Sequence, residues 1–450
     1  MRIKKILRIL LIAVATMIGL LILFVAVNIV PVDRKVDYRP LLDTMTHRID
    51  AVDQDPVASS NTFSIGFAKI NLTPSHPVAF AGYGKRIGKL YESVHDSIYV
   101  RSMVIDNGIE RVAIVSADLL IIPPTVTALL EKELSSIGFT LDNTYLGATH
   151  THNSIGNWGI GATSILYGSY DDSVVRFIAD KIKLSIESAT KNMLPSTLKA
   201  GSISIPEGVY NRVTDDGPVD PLLRVIEVNR SDSSKLLIMS YTAHPTCLFS
   251  RDLQLSGDYP GKLMNRIEQS GYTFSMFLAG AVGSHGSKVP EGGWSCVDWM
   301  ADLIVTKFLE KRDQLNKVTD TSLEMRRVSL ILNKAQPKFF HDWRFRPWLF
   351  TAAFGEYPTF ISALKIGNVV MLSTPCDFSG EFSPSFDSLG AEAQVFPIIT
   401  SFNGGYIGYV TPTKYYDVDH YETQLMNWYG PGNGEYIREC LEKLLLNVVD

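Results

Sequence analysis

The longest uninterrupted apolar stretch of the chain lies at its N-terminus. It extends from Ile9 to Val30 with only Thr16 and Asn28 as clearly polar members, and four basic residues precede it. A stretch of this length crosses the roughly 30 Å hydrocarbon core of a bilayer, so residues 1–30 are predicted to form a transmembrane anchor with a basic cytoplasmic flank. The rest of the chain is then expected on the extracytoplasmic side of a single-pass membrane protein. A cleaved signal peptide is the alternative, although the stretch is long for one and no Ala-x-Ala site closes it.

Beyond this stretch the pattern changes twice. Residues 31–62 are polar and rich in proline, aspartate and serine, which is typical of a juxtamembrane tether. From Phe63 onward short apolar runs alternate with helical patterns, which predicts one domain over residues 63–450. Buried strands are predicted at 112–118, 236–242, 274–279 and 369–373, and helices at 127–134, 174–186 and 297–313. This alternation favours an α/β fold with a central, mostly buried mixed sheet flanked by helices.

Composition and charge narrow the class of protein. The chain has 450 residues, of which 46% are hydrophobic, enough for a large core. Its formal net charge is -5 and no cluster of lysine or arginine lies beyond the N-terminus, so nucleic-acid binding is disfavoured. The four cysteines show no Cys-x-x-Cys spacing and indicate neither a zinc knuckle nor a disulfide framework, while one or two bridges remain open.

Histidines follow two of the predicted strands. His150 and His152 come directly after the apolar run 143–148, and His244 follows the run 236–242. A strand alternates its side chains between faces, so His150 and His152 are expected to point the same way. A lone histidine near a strand end is usually a structural residue. Because histidine is also the commonest metal ligand, three of them at strand ends indicate a zinc site.

Many short motifs occur together in this chain. They are Gly66-Phe-Ala-Lys-Ile-Asn-Leu-Thr-Pro74, Gly82-Tyr-Gly84, Val94-His95 with Arg101, Asp118, His150-Thr-His152, Asn211-Arg212, His244-Pro-Thr246, Ser256-Gly-Asp258, Pro375-Cys-Asp377, Tyr406-Ile-Gly-Tyr409-Val-Thr411 and His420-Tyr-Glu422. In this order and spacing the chain resembles the neutral/alkaline non-lysosomal ceramidase family over roughly residues 63–447. The resemblance implies a zinc-dependent amidohydrolase that acts on ceramide or a related lipid.

The resemblance also implies roles for individual residues. The implied zinc ligands are His150, His244, Asp377 and Tyr409. Two imidazoles, a carboxylate and a phenol leave a position for water, and zinc lowers the pKa of such water to about 7. Side chains implied to surround the scissile amide, where negative charge develops on the carbonyl oxygen, are His152, Arg212 and Tyr421.

The chain departs from the family pattern in three places. The family carries glutamate where this chain has Asp377, a shorter oxygen ligand, with Glu381 as the fallback. The family's Gly-Asp-x-Ser-Pro segment corresponds to residues 283–287, which places Gly286 at the serine position. Candidates to replace that hydroxyl are Ser284, His285 and Ser287, and Ser284 is taken as a catalytic candidate. The β-sandwich domain that usually follows in the family is expected to be absent.

Three functions follow from these observations. The first is a membrane-anchored zinc hydrolase that cleaves the N-acyl amide of ceramide or a related lipid by a zinc-activated water. The second is a hydrolase of another amide or an ester, redirected by the altered loop at 283–287, and the third is a catalytically silent lipid-binding surface protein. An aromatic stretch with two arginines, residues 339–350, suits either contact with lipid headgroups or a packed core. The sequence leaves the oligomeric state open.

Overall fold

A computed structural model describes residues 2–52, 62–289 and 291–449 of the chain. The helices are α1 (Arg2–Asn28), α2 (Arg39–Asp50), α3 (Pro124–Glu133), α4 (Thr163–Tyr167), α5 (Asp172–Thr190), α6 (Asp258–Gln269), α7 (Trp294–Lys311), α8 (Pro347–Phe354), α9 (Ser383–Glu392) and α10 (Asn433–Val449).

The strands are β1 (Ile29–Pro31), β2 (Phe63–Asn71), β3 (Phe80–Gly82), β4 (Ser93–Val94), β5 (Tyr99–Asp106), β6 (Arg111–Ala117), β7 (Thr144–Ala148), β8 (Asn153–Ile155), β9 (Leu194–Ser204), β10 (Val209–Asn211), β11 (Leu222–Arg230), β12 (Lys235–Tyr241), β13 (Gln254–Leu255), β14 (Phe274–Ala279), β15 (His285–Ser287), β16 (Asn316–Val318), β17 (Leu323–Ser329), β18 (Lys338–Phe340), β19 (Trp343–Phe345), β20 (Phe360–Ile366), β21 (Val369–Thr374), β22 (Asp377–Phe378), β23 (Phe396–Ser401) and β24 (Tyr409–Val410).

Two sheets form the centre of the molecule. The large mixed sheet has the strand order β14-β12-β11-β9-β2-β5-β6-β7, with β16 beside β9, and the small sheet has the order β17-β20-β21-β23. Their inner faces meet in one core, in which Ile114 and Ile238 of the large sheet join Leu364 and Met371 of the small sheet. Burial of these side chains away from water stabilises the packing of sheet on sheet.

Helices cover the outer face of each sheet. On the large sheet α3, α5, α6 and α7 bury an apolar face, and α5 does so through Val174, Ile178, Ile182 and Ile186, spaced four residues apart. On the small sheet α2, α9 and α10 do the same. The molecule is therefore layered helix, sheet, sheet, helix, and the predicted α/β class with a mixed, mostly buried sheet and flanking helices is confirmed.

The N-terminal helix stands apart from these layers. Of the helices in the described part of the chain, one is long and apolar enough to cross a membrane, over Ile3–Asn28, and its apolar side chains are exposed. Within the segment expected to be a tether, α2 is ordered and buries Met45 and Ile49 against the small-sheet core. The remainder of that segment at 53–61 lies outside the described residues.

A disulfide joins the loop after β12 to the start of α7. It links Cys247 and Cys296, whose Cα atoms are 5.3 Å apart, while Cys376 and Cys440 are free and buried. The bridge holds the loop that contains His244 against the helical layer.

Candidate metal centre

Four of the predicted site residues lie just beyond the carboxyl ends of strands in both sheets. In the large sheet His150 and His152 follow β7, and His244 follows β12. In the small sheet Asp377 follows β21. The edge strand β7 of the large sheet contacts both β14 and β23, so the ends of these strands converge. Ligands and substrates commonly bind at such strand ends.

Three histidine nitrogens meet at one point. The Nε2 atoms are 2.9 Å apart between His150 and His244, 3.0 Å between His152 and His244, and 3.3 Å between His150 and His152. Three nitrogens bound to a tetrahedral zinc ion at about 2.0 to 2.1 Å are about 3.3 Å from one another. His150, His152 and His244, which we name the histidine cluster, could therefore hold a metal ion.

The outer nitrogens fix two of these rings. Nδ1 of His150 lies 2.6 Å from the carbonyl oxygen of Leu120, and Nδ1 of His244 lies 3.3 Å from that of Val282. A carbonyl only accepts, so each Nδ1 carries a proton and Nε2 is the ring nitrogen that can offer a lone pair to a metal ion. Burial, followed by the charge of Arg212, lowers the pKa of His244 well below its usual value and keeps it neutral. Lone pairs this close repel one another unless a cation lies between them.

Backbone conformation, and not strand alternation, directs His150. Strand β7 ends at Ala148, and His150 has a φ of 63°, in the left-handed region that residues other than glycine rarely adopt. His150 and His152 do point the same way, as expected, with Nε2 atoms 3.3 Å apart, but strand alternation is the wrong reason because both lie beyond the end of β7. Phe402 stacks on the His150 ring with centroids 3.9 Å apart and holds it in place.

A buried carboxylate oxygen adjoins the histidine cluster. Asp377 is fully buried, and its Oδ1 lies 3.3 Å from Nε2 of His150. Its other oxygen accepts a hydrogen bond of 2.7 Å from the Tyr406 hydroxyl, whereas Oδ1 has no hydrogen-bond partner among the described residues. A buried oxygen without a donor is costly, and a shared cation would satisfy it. The shorter side chain at this position thus still reaches the cluster, and the residues present fit a zinc ion.

The phenol of Tyr409 lies beside this carboxylate. Strands β22 and β24 pair in parallel with Asp377 opposite Tyr409, and Nη2 of Arg212 donates to the Tyr409 oxygen at 3.1 Å. Burial, followed by Asp377, raises the pKa of Tyr409 well above its usual value. Burial and the neighbouring carboxylate therefore favour the protonated phenol, whose oxygen accepts from Arg212.

Arg212 is fixed by a buried ion pair. Its Nε lies 2.9 Å from Oε1 of Glu422, a residue almost completely buried. Burial acts to lower the pKa of Arg212, but Tyr409, Glu422 and Asp377 together raise it, so the guanidinium stays charged. The neighbouring Tyr421 is 53% exposed, and its ring lies 5.9 Å from that of Tyr409. The site therefore has a fixed cation inside and an accessible phenol at its rim.

In the altered loop Ser287 donates to the backbone carbonyl of His244 at 3.1 Å, whereas Ser284 lies in a separate network. The Ser284 hydroxyl is fully buried, 2.8 Å from Nδ1 of His285 and 2.8 Å from the Ser379 hydroxyl, so it is not directed at the histidine cluster. At Gly286 a β-carbon would lie 2.7 Å from the Tyr210 ring, and this close approach accounts for the glycine.

The fallback ligand is also occupied elsewhere. Glu381 accepts from Asn211 at 2.7 Å and lies 2.9 Å from Lys414, and the structure does not bring it to the histidine cluster. Sequence reasoning assigned no role to Tyr406, Glu422 or Phe402, which support Asp377, Arg212 and His150. Tyr406 and Glu422 could have been found from the sequence, because each lies in a motif that also contains an implied site residue.

Comparisons with known proteins agree with this architecture. Residues 63–277 match the family model described as neutral/alkaline non-lysosomal ceramidase, N-terminal. The fold is similar to the crystal structure of neutral ceramidase from Pseudomonas aeruginosa, with a TM-score of 0.72 and 18% identity over 86% of this chain and 74% of that chain. A structure of ceramidase complexed with C2 gives the same values. A search of curated proteins finds no match. The resemblance in the sequence is thus confirmed for residues 63–277, which match the model of the N-terminal part of the neutral/alkaline non-lysosomal ceramidase family.

Proposed function

We propose that this protein is a membrane-anchored, zinc-dependent hydrolase that cleaves the N-acyl amide of ceramide or a closely related lipid. The observation that carries the proposal is the convergence of three histidine Nε2 atoms beside the unpartnered Oδ1 of Asp377, in a chain that includes a ceramidase-family domain. A family of hydrolases supports the reaction class, and the donor set supports the metal.

The proposed ligands are the histidine cluster and Asp377, with Tyr409 as the further ligand that the family resemblance implies. Nitrogen and carboxylate donors of this kind suit zinc. A bound zinc ion lowers the pKa of the water it binds and so supplies hydroxide near neutral pH. Tyr406 orients Asp377, and the two backbone carbonyls orient the rings of His150 and His244.

The chain's own residues supply the remaining steps. Arg212, charged and fixed by Glu422, is suited to donate to the carbonyl oxygen of the amide as negative charge develops there. Tyr421, at the exposed rim, is suited to donate to the same oxygen from the side of the substrate. Ser284 has no part in this proposal, because its hydroxyl is bound within its own buried network.

We also propose the placement of the protein. The helix over Ile3–Asn28 acts as an uncleaved anchor, with the basic flank in the cytoplasm and the domain at 63–450 on the extracytoplasmic side. The disulfide between Cys247 and Cys296 supports this placement, since such bonds persist in oxidising compartments.

Metal content and hydrolysis test the proposal together. The parent protein should contain about one zinc and release fatty acid from ceramide. H150A and H244A should lose both, whereas H95A, a change at a partly exposed histidine outside the cluster, should lose neither. Full zinc content and turnover in H150A and H244A would contradict the proposal.

H152A distinguishes the role of ligand proposed for His152 from the role beside the scissile amide that the family resemblance implies. As a ligand, its loss in H152A lowers zinc content together with activity. As a group beside the scissile amide, its loss lowers activity and leaves the zinc in place.

A hydrolase of a different amide or of an ester is the second candidate, because both hydroxyls of the loop at 283–287 are engaged, Ser284 with His285 and Ser379 and Ser287 with the carbonyl oxygen of His244. A panel of ceramides, N-acyl amino acids and simple esters separates the candidates. Zinc binding and lipid association without any product would instead indicate a silent binding protein.

A further inference from the structure

The first residues after the N-terminal helix are part of a sheet. Strand β1 pairs antiparallel with β19, with Ile29 opposite Phe345 and Pro31 opposite Trp343. Strand β18 completes this three-stranded sheet, and α8 follows directly after β19. We name residues 338–354, which comprise β18, β19 and α8, the aromatic clasp.

The clasp also satisfies the end of the helix. The last carbonyls of a helix lack hydrogen-bond donors within the helix. Here Arg346 donates to two of these carbonyls. Its backbone N–H donates to the carbonyl of Asn28 at 2.9 Å, and its Nε donates to that of Val27 at 2.6 Å. The N–H of Val32 donates in turn to the carbonyl of Asp342 at 2.7 Å. The helix therefore joins the body through a fixed connection, without a flexible spacer.

Large aromatic side chains on the clasp face outward. Phe340 is 62% exposed, Trp343 is 47% exposed and Trp348 is 55% exposed, all within a segment that also carries Arg344 and Arg346. Aromatic residues grouped on a surface usually mark a binding face. Tryptophan beside arginine is the composition favoured at the headgroup level of a bilayer, where the ring has an apolar body and a polar N–H.

The inner side of the clasp reaches the candidate metal centre. The rings of Phe350 and Phe354 lie 5.2 Å and 5.7 Å from that of Trp428. Trp428 meets the ring of Tyr406 edge-on at 5.2 Å, and Tyr406 holds Asp377. A continuous wall of aromatic rings thus connects the clasp with a proposed metal ligand.

We propose that the aromatic clasp is an interfacial docking surface whose occupant is the headgroup region of the bilayer that the N-terminal helix spans. Its continuity with the end of that helix at Asn28 restricts the clasp to the membrane surface. Docking then holds the candidate metal centre in one orientation close to the lipid from which its substrate comes. This inference rests on the proposed membrane anchor and adds a contact that the anchor alone does not require.

Tryptophan quenching tests the contact on the full-length protein. The N-terminal helix contains no tryptophan, so quenching by phosphatidylcholine with brominated acyl chains, in reconstituted vesicles, reports on the body. We expect W343Q combined with W348Q to lower the quenched share of the emission by about twofold or more, because these are the tryptophans placed at the interface. W299Q, which changes a tryptophan 38% exposed on α7, should leave it unchanged. Equal quenching in the parent and the double variant would overturn the proposal.

Hydrolysis provides an independent measurement. The double variant should hydrolyse long-chain ceramide in vesicles about tenfold more slowly than the parent, because its centre is no longer held in one orientation toward the lipid. It should hydrolyse a dissolved short-chain substrate at the parent rate, which also shows that it is folded. Equal loss on both substrates would contradict a docking role. A parent protein inactive on both substrates would refute the proposed function, while quenching would still decide the docking.

Discussion

Removal of the Tyr406 hydroxyl should weaken metal binding without unfolding the protein. In Y406F the 2.7 Å hydrogen bond to Oδ2 of Asp377 is lost, and that oxygen stays buried. A hydrogen bond to a charged group contributes about 1.5 to 3 kcal/mol. At about 1.4 kcal/mol per factor of ten, zinc affinity should fall roughly 10- to 100-fold, the range typical for residues that orient metal ligands.

Competition for zinc with a chromophoric chelator measures this affinity on metal-depleted protein. Y241F is the matched control, because the buried Tyr241 hydroxyl donates to the carbonyl of Ile205 at 2.6 Å and not to a predicted ligand. Y241F should lose stability and keep its zinc affinity. Affinities equal within about twofold for the parent, Y241F and Y406F would show that Asp377 is not a ligand or that its orientation does not depend on Tyr406.

Three further outcomes are expected. Replacing both Cys247 and Cys296, which are 49 residues apart, with serine should lower the free energy of unfolding by about 4 kcal/mol in denaturant titrations, because the unfolded chain is no longer closed into a loop. Replacing the two free cysteines with serine should not show this loss. E422Q should lower kcat/KM about tenfold or more with zinc content unchanged, since Arg212 loses its charged partner at 2.9 Å. Zinc loss in E422Q would argue against a role of Glu422 that acts only through Arg212. Burial raises the pKa of Asp258 to about 6, so between about pH 4 and pH 6 the folded state keeps a proton that the unfolded state releases. The free energy of unfolding should therefore fall by about 3 kcal/mol as the pH rises across this range. D258N should remove that slope in unfolding measured across this pH range.

Much of the fold could be predicted from the sequence because its strands are strongly apolar. The runs at 112–118 and 369–373 coincide with β6 and β21, and the helix predicted at 174–186 lies within α5. The pairing of two sheets could not be predicted, because strands buried on both faces read as continuous apolar runs whichever sheet they join. The fold class could therefore be predicted from short stretches of sequence, whereas the packing of one sheet on the other depends on contacts between distant stretches.

The residues of the candidate metal centre could likewise be predicted only in part from the sequence pattern. His150 and His244 directly follow apolar runs, so the sequence alone placed them at strand ends. Asp377 and Tyr409 came only from family resemblance, since β22 and β24 are two residues long and pair across 32 positions. In the aromatic stretch Phe350 is buried, as a packed core predicts, whereas Trp348 is exposed, and its contact with lipid headgroups stays a prediction.

With the N-terminal helix as the proposed anchor, its fixed connection to the body would give bilayer thickness a direct effect on the proposed enzyme. The apolar part of that helix, from Ile9 to Val27, is about 28 Å long at 1.5 Å per residue, close to the thickness of an average hydrocarbon layer. In a thinner bilayer the helix tilts to keep its apolar surface covered. Because Arg346 holds the last turn of the helix, the catalytic body would tilt with it, and the proposed enzyme would respond to the acyl-chain length of the surrounding lipids.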